Sequence, residues 1–134
     1  YASSALRGDR EIVLEAVKIN WYVLRYASAG LRGGDRGIVL EAVKQNSDAL
    51  IYASAELKGD REFVLEAVKQ DWRALQYASA KFKGDREIVL ESVKSQGYAL
   101  QFASAELQGD REIVLEAVKQ CGGAFKYASV SENK

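Results

Sequence analysis

Histidine is absent from this chain of 134 residues, and cysteine occurs once, as Cys121. Histidine is the commonest general base and a very common metal ligand, so its absence excludes Ser-His and Cys-His nucleophiles and histidine-based zinc sites. A single cysteine cannot form an internal disulfide, and we interpret Cys121 as a small residue that fills a turn. The sequence therefore predicts no catalytic residue, no cofactor-binding residue and no metal site, and we expect a protein that is not an enzyme.

The chain also lacks an excess of either charge and any long apolar run. Nineteen lysines and arginines balance nineteen aspartates and glutamates, which gives a net charge of zero. Nucleic-acid-binding proteins usually carry a basic excess because phosphate neutralisation dominates their affinity, so the balance disfavours nucleic acid as a partner. No apolar run approaches the ~18 residues that a membrane-spanning helix needs. The lack of disulfides suits a reducing intracellular compartment, an organelle interior included.

One segment is repeated five times along the chain. Gly-Asp pairs recur at spacings of 26, 25, 25 and 25 residues, beginning at Gly8, Gly34, Gly59, Gly84 and Gly109. A Tyr-Ala-Ser or Phe-Ala-Ser mark recurs in step, at positions 1, 26, 52, 77, 102 and 127. We predict a single helical-repeat domain over 1–134, with a half repeat at 1–7 and repeats at about 8–33, 34–58, 59–83, 84–108 and 109–134. Because the half repeat is the end of a unit, we expect the chain to be part of a longer array.

Each repeat is predicted to form two short helices. In the third copy the first helix runs from about Arg61 to Lys69, with Asp60 as its N-cap and an apolar stripe on one side. The second runs from about Arg73 to Lys83 and ends at the next glycine. Helices this short cannot bury their apolar faces alone, whereas stacked repeats can bury them against one another. The sequence thus predicts an all-α fold, an α-solenoid of about five tandem 25-residue two-helix repeats.

Comparison of the five repeats separates constant positions from variable ones. Three features barely change: the Asp-Arg pair, the Val-Leu pair and the aromatic residue of the Tyr-Ala-Ser mark. We expect the aromatic ring to pack in the core. The small alanine and serine that follow it suit a close crossing of helices. The turn between the helices varies instead, and its copies read INWYV, QNSDA, QDWRA, SQGYA and QCGGA.

Variable positions on a constant scaffold commonly form the binding surface of a solenoid. Tryptophan, tyrosine and arginine are also the residues that most often dominate protein interfaces. The alternative, that the turns vary because little constrains them, stays open. We name five candidate partner-contact residues in this variable turn: Trp21, Tyr22, Trp72, Arg73 and Tyr98.

The segment LKGDREFVLEAVKQDWRALQYAS, residues 57–79, resembles the short helical repeat of a family of domains of unknown function. Members of that family carry segments similar to LKNDREVVLAAVKQNGxALQYAS in tandem, in proteins of single-celled eukaryotes and their large viruses. The resemblance covers essentially residues 1–130 and rests on the Asp-Arg-Glu, Val-Leu, Ala-Val-Lys and Tyr-Ala-Ser marks, which recur in phase. Gly37, the additional Gly33 and the segment CGGAFK depart from the pattern. The resemblance implies the repeat fold, and it implies no activity, cofactor or catalytic residue.

These observations lead us to expect a non-catalytic protein–protein interaction scaffold, an accessory or structural subunit of a larger assembly. One alternative is a binding module for an extended ligand such as single-stranded nucleic acid, read by stacking on aromatic rings. Four basic residues near the end of the second helix support it: Arg7, Arg32, Lys58 and Lys83. Another alternative is a peripheral subunit of an organellar membrane complex. The partners we expect are other proteins.

Overall fold

The computed structural model describes residues 8–27, 31 and 34–128, and every regular element in those ranges is a helix. The all-α repeat fold predicted from the sequence is confirmed. The half repeat at 1–7 and the additional Gly33 lie outside the described residues. With η denoting a 3₁₀ helix, the elements are α1 (Arg10–Ile19), η1 (Trp21–Tyr26), α2 (Arg36–Gln45), η2 (Ser47–Tyr52), α3 (Ala55–Lys58), α4 (Arg61–Gln70), η3 (Trp72–Tyr77), α5 (Ala80–Lys83), α6 (Arg86–Ser95), η4 (Gly97–Phe102), α7 (Ala105–Gln108), α8 (Arg111–Gln120) and η5 (Gly122–Tyr127).

The ten-residue helices begin at the predicted aspartate caps. Asp9 accepts hydrogen bonds from the backbone N–H groups of Glu11 at 3.0 Å and Ile12 at 3.2 Å. Asp110 accepts one from Ile113 at 3.1 Å. These bonds satisfy donors that have no partner inside the helix, and the negative charge lies at the positive end of the helix dipole.

The second helix of the repeat differs from the prediction. In the third copy the stretch from Arg73 to Lys83 belongs to two shorter helices, η3 and α5, joined through extended backbone at Ala78 and Ser79. A side chain caps the N-terminus of the 3₁₀ helix. In η3, Asp71 accepts a hydrogen bond from the backbone N–H of Arg73 at 3.0 Å. In the second and fourth copies the serine of the Tyr-Ala-Ser or Phe-Ala-Ser mark caps the short α-helix. The hydroxyl of Ser54 accepts a hydrogen bond from the N–H of Leu57 at 3.1 Å, and that of Ser104 accepts one from Leu107 at 3.3 Å. Each cap satisfies backbone N–H groups at the start of a separate helix, and it therefore favours two short helices over one continuous helix.

The chain divides into two compact units, residues 1–63 and residues 64–134. The prediction of a single domain stays a prediction. In the first unit α1 packs on α2, and η1 contacts both α2 and η2. Its apolar side chains meet between the repeats, which is the burial that a lone repeat cannot achieve. The buried residues of α1, η1 and α2 are Val13, Val17, Leu24, Ile38, Val39, Ala42 and Val43.

The second unit repeats this arrangement. There α6 packs on α8, η3 on η4 and η4 on η5. The fully buried large side chains of the unit include Val68, Leu75, Phe82, Ile88, Val89, Val93, Leu100 and Ile113. The apolar stripe predicted for the first helix of each repeat therefore forms the core.

An arginine at the start of one repeat pairs with the N-cap aspartate of the next. In the first unit Arg10 Nε donates to Asp35 Oδ2 at 2.6 Å, and Arg36 Nη1 donates to Asp60 Oδ2 at 3.3 Å. In the second unit Arg86 Nε lies 3.4 Å from Asp110 Oδ2. Asp-Arg pairs therefore bridge successive repeats at these junctions. Each bridge ties a helix N-terminus to its neighbour.

Candidate interaction surfaces

Trp21 and Tyr22 lie side by side at the start of η1, where the structure brings two predicted contact residues together. Their rings meet edge to face with centroids 5.3 Å apart. The guanidinium of Arg25 lies 4.8 Å from the Tyr22 ring centroid and 5.3 Å from that of Tyr26, and both distances are within cation–π range. We call Trp21, Tyr22, Arg25 and Tyr26 the aromatic cluster. Sequence reasoning named its first two members and missed the other two.

A side chain of the next repeat fixes the position of Trp21. The backbone N–H of Trp21 donates to Gln45 Oε1 at 2.9 Å. The amide nitrogen of Gln45 in turn donates to the carbonyl oxygens of Val17 and Lys18 at the end of α1. The Gln45 side chain thus hydrogen-bonds to carbonyl oxygens at the end of α1 and to an N–H group at the start of η1. Backbone groups at helix ends lack partners inside the helix, so these bonds replace the missing ones.

Much of the aromatic cluster faces solvent. Tyr26 is 59% exposed and Tyr22 is 46% exposed, and the nearby Ile19 is 87% exposed. Tyr26 belongs to the constant aromatic row, whose other described members, Tyr52, Tyr77, Phe102 and Tyr127, are half-buried. Its exposure therefore departs from the packing role that we assigned to this row from the sequence.

Trp72 and Arg73 form a second pair, in residues 64–134. The Trp72 ring stacks on Phe102 of the next repeat, with centroids 6.1 Å apart and planes inclined by 29°. Arg73 is exposed and is held by its own turn, since its Nε donates to Asp71 Oδ1 at 3.2 Å and its guanidinium lies 5.9 Å from the Trp72 ring centroid. Trp72 therefore takes part in packing between repeats, whereas Arg73 remains available to a partner.

Tyr98 occupies the same turn in the fourth repeat and packs against the fifth. Its ring meets Tyr127 edge to face at 6.1 Å, and Lys126 Nζ lies 5.9 Å from its centroid. A hydrogen bond between the Tyr98 hydroxyl and the Cys121 thiol lowers the pKa of Cys121 and raises the pKa of Tyr98. A Cβ on Gly123 would lie 2.5 Å from the Tyr98 hydroxyl oxygen, so the ring fills space that this glycine leaves. Among the described residues no ring contact joins Tyr98 to Trp72.

A further exposed apolar surface lies on the fifth repeat, and sequence reasoning did not single it out. Arg111, Val114, Leu115, Val118 and Phe125 line an open groove of about 240 Å³. Phe125 is 67% exposed, whereas Leu24, Leu50, Leu75 and Leu100 at the same position of the other repeats are buried. We call these five residues the last-repeat face. The signal in the sequence was the phenylalanine that replaces leucine in CGGAFK.

Within residues 8–27, 31 and 34–128 no group of three or more histidine, cysteine, aspartate or glutamate side chains could hold a metal ion. Among the same residues no helix has both the length and the apolar character needed to span a bilayer.

Comparison with known proteins places the chain in a family. The model of the domain of unknown function DUF4116 matches residues 1–32, 35–83 and 85–132, so the matches cover nearly the whole chain in three segments. Searches among curated proteins and among solved structures gave no significant match. The resemblance inferred from the repeat marks is confirmed, and the chain belongs to the DUF4116 family.

Proposed function

We propose that this chain is a non-catalytic protein–protein interaction scaffold that serves as an accessory or structural subunit of a larger assembly. The observation that carries the proposal is the aromatic cluster of η1, in which Tyr22 and Tyr26 are exposed around Arg25. A chain without histidine also has few means of acid–base catalysis, which supports a role in binding rather than in chemistry.

The chemistry of the cluster favours a protein partner. Tyrosine and tryptophan provide large contact areas at a low cost in side-chain entropy, and arginine adds a charge that hydrogen-bonds to carbonyl or carboxylate oxygens. The backbone beneath Trp21 is fixed by Gln45, so little ordering is required when a partner binds. A fixed backbone beneath exposed rings supports a contact surface at this turn.

Single-stranded nucleic acid is the second candidate, because exposed rings beside a cation are also the groups on which bases stack. The net charge of zero weighs against it. Of the four basic residues that suggested it, Arg7 and Arg32 lie outside the described residues. A place as a peripheral subunit of an organellar membrane complex remains a special case of the scaffold role and differs from it only in the partner.

The first experiment is gentle isolation of the protein from its source cells, followed by sizing and mass spectrometry of the proteins that comigrate with it. We expect the chain in a complex with other proteins. The same isolation is repeated with Tyr22→Ser and with Ile51→Ser as the matched control, since Ile51 is exposed on a 3₁₀ helix but lies outside the aromatic cluster. We expect Tyr22→Ser to lose the partner and Ile51→Ser to keep it.

Other results would contradict the proposal in different ways. If the chain always migrates alone, the assembly role is wrong. If Tyr22→Ser keeps the partner as well as the control does, binding does not occur at the aromatic cluster. Binding of a fluorescent oligonucleotide that weakens with salt and is lost in Tyr22→Ser would favour the nucleic-acid alternative instead.

A further inference from the structure

The turns between helices in residues 64–134 carry almost only positive charge. Each long helix of this unit has a lysine in its last turn, and two further cations lie on η3 and η5. The stretches 69–76, 94–101 and 119–126 contain one acid, Asp71, whose side chain is 9% exposed and paired with Arg73. We call five exposed side chains the cationic edge: Lys69, Arg73, Lys94, Lys119 and Lys126.

Packing between repeats brings these turns together along one edge of the unit. The 3₁₀ helix η3 packs on η4, and η4 packs on η5. Trp72 stacks on Phe102 and Tyr98 meets Tyr127, each with ring centroids 6.1 Å apart, so each turn contacts the repeat that follows it. Because packed helices lie about 8–10 Å apart, cations of successive repeats can contact one extended partner.

The exposure of the cationic edge is a property of the repeat and does not depend on its place along the chain. The last-turn lysine is exposed in all five repeats, Lys18 and Lys44 included. Lys126 occupies the position of Arg25 and Gln101, which are exposed as well. A flanking repeat therefore leaves these positions open to solvent.

The lysines of the cationic edge also differ from their counterparts in pairing. Lys18 pairs with Glu15 at 3.3 Å and Lys44 with Glu41 at 3.6 Å, each within its own helix. Among the described residues the three last-turn lysines of the edge form no ion pair. The negative end of a helix dipole amounts to about half a charge, so a lysine there leaves the helix end positive.

We infer that the cationic edge binds an acidic, extended segment of a partner protein. Carboxylates are the complement of these five exposed cations, and matched charges of this kind steer and select a partner. The rings on the edge pack on the next repeat, as Trp72 does on Phe102, so they offer little to the bases of a nucleic acid, which bind by stacking. Ion pairs to carboxylates are therefore the main interaction that the edge provides.

This inference deepens the proposed scaffold role and rests on it, because it names the chemistry of one partner. The cationic edge shares no residue with the aromatic cluster. A failure of the test below would leave the isolation experiment with Tyr22→Ser unaffected, and the two proposals can therefore fail separately.

The test measures binding of a fluorescein-labelled oligoglutamate peptide to the purified chain by fluorescence anisotropy. We expect binding that weakens as the salt concentration rises, because salt screens exposed charges. Lys94→Glu should weaken binding at least roughly fivefold, and addition of Lys119→Glu should weaken it further. Both side chains are exposed, so these variants should fold, and circular dichroism checks this. Lys94→Gln, which adds no negative charge at the helix end, should give a smaller loss in the same direction.

Lys81→Glu is the matched control, because it makes the same change of charge in the same unit. Lys81 is exposed near the start of α6, whereas Lys94 lies at the other end of that helix, which is about 15 Å long. Glu56 and Glu106 occupy the position of Lys81 in other repeats, so the fold accepts a glutamate there. Lys81→Glu should weaken binding less than roughly twofold.

Three results would overturn the inference. The first is that the unaltered chain does not bind oligoglutamate even at low salt. The second is that Lys81→Glu weakens binding as much as Lys94→Glu, since overall charge and not the cationic edge would then decide it. The third is that labelled oligothymidylate binds more tightly than oligoglutamate, which would make the edge a surface for nucleic acid.

Discussion

Single residues decide how closely neighbouring repeats approach, and Gly97 is the sharpest case. A Cβ built on Gly97 would lie 2.2 Å from the carbonyl oxygen of Ala117 and 3.3 Å from Cβ of Cys121. Backbone of the fifth repeat would have to move to admit even a methyl group. We predict that Gly97→Ala lowers the free energy of unfolding by roughly 1–3 kcal/mol, the usual cost of overpacking, as measured by urea denaturation.

Gly122 provides the control for this prediction because it occupies the same position one repeat later. A Cβ on Gly122 would meet nothing within 4 Å, and its φ is not positive. Gly122→Ala should therefore leave stability unchanged or raise it slightly, since alanine restricts the unfolded chain more than glycine does. Equal losses in the two variants would show that the close approach at Ala117 is not what requires glycine.

At the scale of one element, α2 is the long helix with a weakened first turn. The other long helices carry a glutamate there, namely Glu11, Glu62, Glu87 and Glu112, whereas α2 carries Gly37. We predict that Gly37→Ala raises the free energy of unfolding by about 0.5–1 kcal/mol through helix propensity. A Cβ there would lie 2.8 Å from Nη2 of Arg10, but that atom is the far end of a flexible side chain and can move.

Gly37→Glu is the matched comparison. It should gain a further ~0.3–1 kcal/mol over alanine, because the carboxylate interacts with the helix dipole and offers Arg10 a second acceptor, as Glu112 does for Arg86. Thermal unfolding of the three proteins measures both steps. No gain in Gly37→Ala would contradict the propensity argument, and equal stability of the alanine and glutamate variants would show that the carboxylate contributes nothing.

The elements also show how far the sequence predicts this fold. The ten-residue helices were predictable because a capping aspartate, an apolar stripe and a lysine in the last turn agree with one another. The division of the second helix was missed, because the serine of the Tyr-Ala-Ser mark was interpreted as a small residue for close packing. Ser54 and Ser104 instead cap a four-residue helix through their hydroxyls. Recurrence of a capping residue five positions before the glycine of the Gly-Asp pair was the available signal.

At the scale of the whole chain, exposure depends on neighbours that a local pattern does not contain. The variable turn gave equal weight to Trp21, Tyr22, Trp72 and Tyr98 as candidate contact residues, yet the rings of Trp72 and Tyr98 pack on the following repeat. Tyr26 and Phe125 were missed because their rows are buried or half-buried elsewhere. The same residue type thus belongs to a core or to a surface according to whether another repeat covers it.

The junction aspartates predict how the whole chain responds to acid. Hydrogen bonds from the N–H groups of Phe63 and Ile113 are the largest cause that lowers the pKa of Asp60 and Asp110, and the paired arginines lower it further. Partial burial raises the pKa of Asp35, but Arg10 and the N–H of Ile38 outweigh it, so this pKa is lowered as well. A carboxyl whose pKa is lower in the folded chain than in the unfolded chain stabilises the fold when it is ionised.

This stabilisation is complete above the pKa of the unfolded aspartates, about 3.9, and is lost as the pH falls through the lower folded values. We therefore expect the midpoint of thermal unfolding to be steady from pH 7 to about 5 and to drop steeply below about pH 4. Asp110→Asn should reduce that drop, because asparagine still caps α8 but carries no charge to lose. Glu106→Gln, which removes an exposed carboxylate outside the junctions, should leave the drop unchanged. An unfolding midpoint that does not change between pH 5 and pH 2 would mean that the junction aspartates contribute no ionisation-dependent stability, and that apolar stacking alone holds the repeats together.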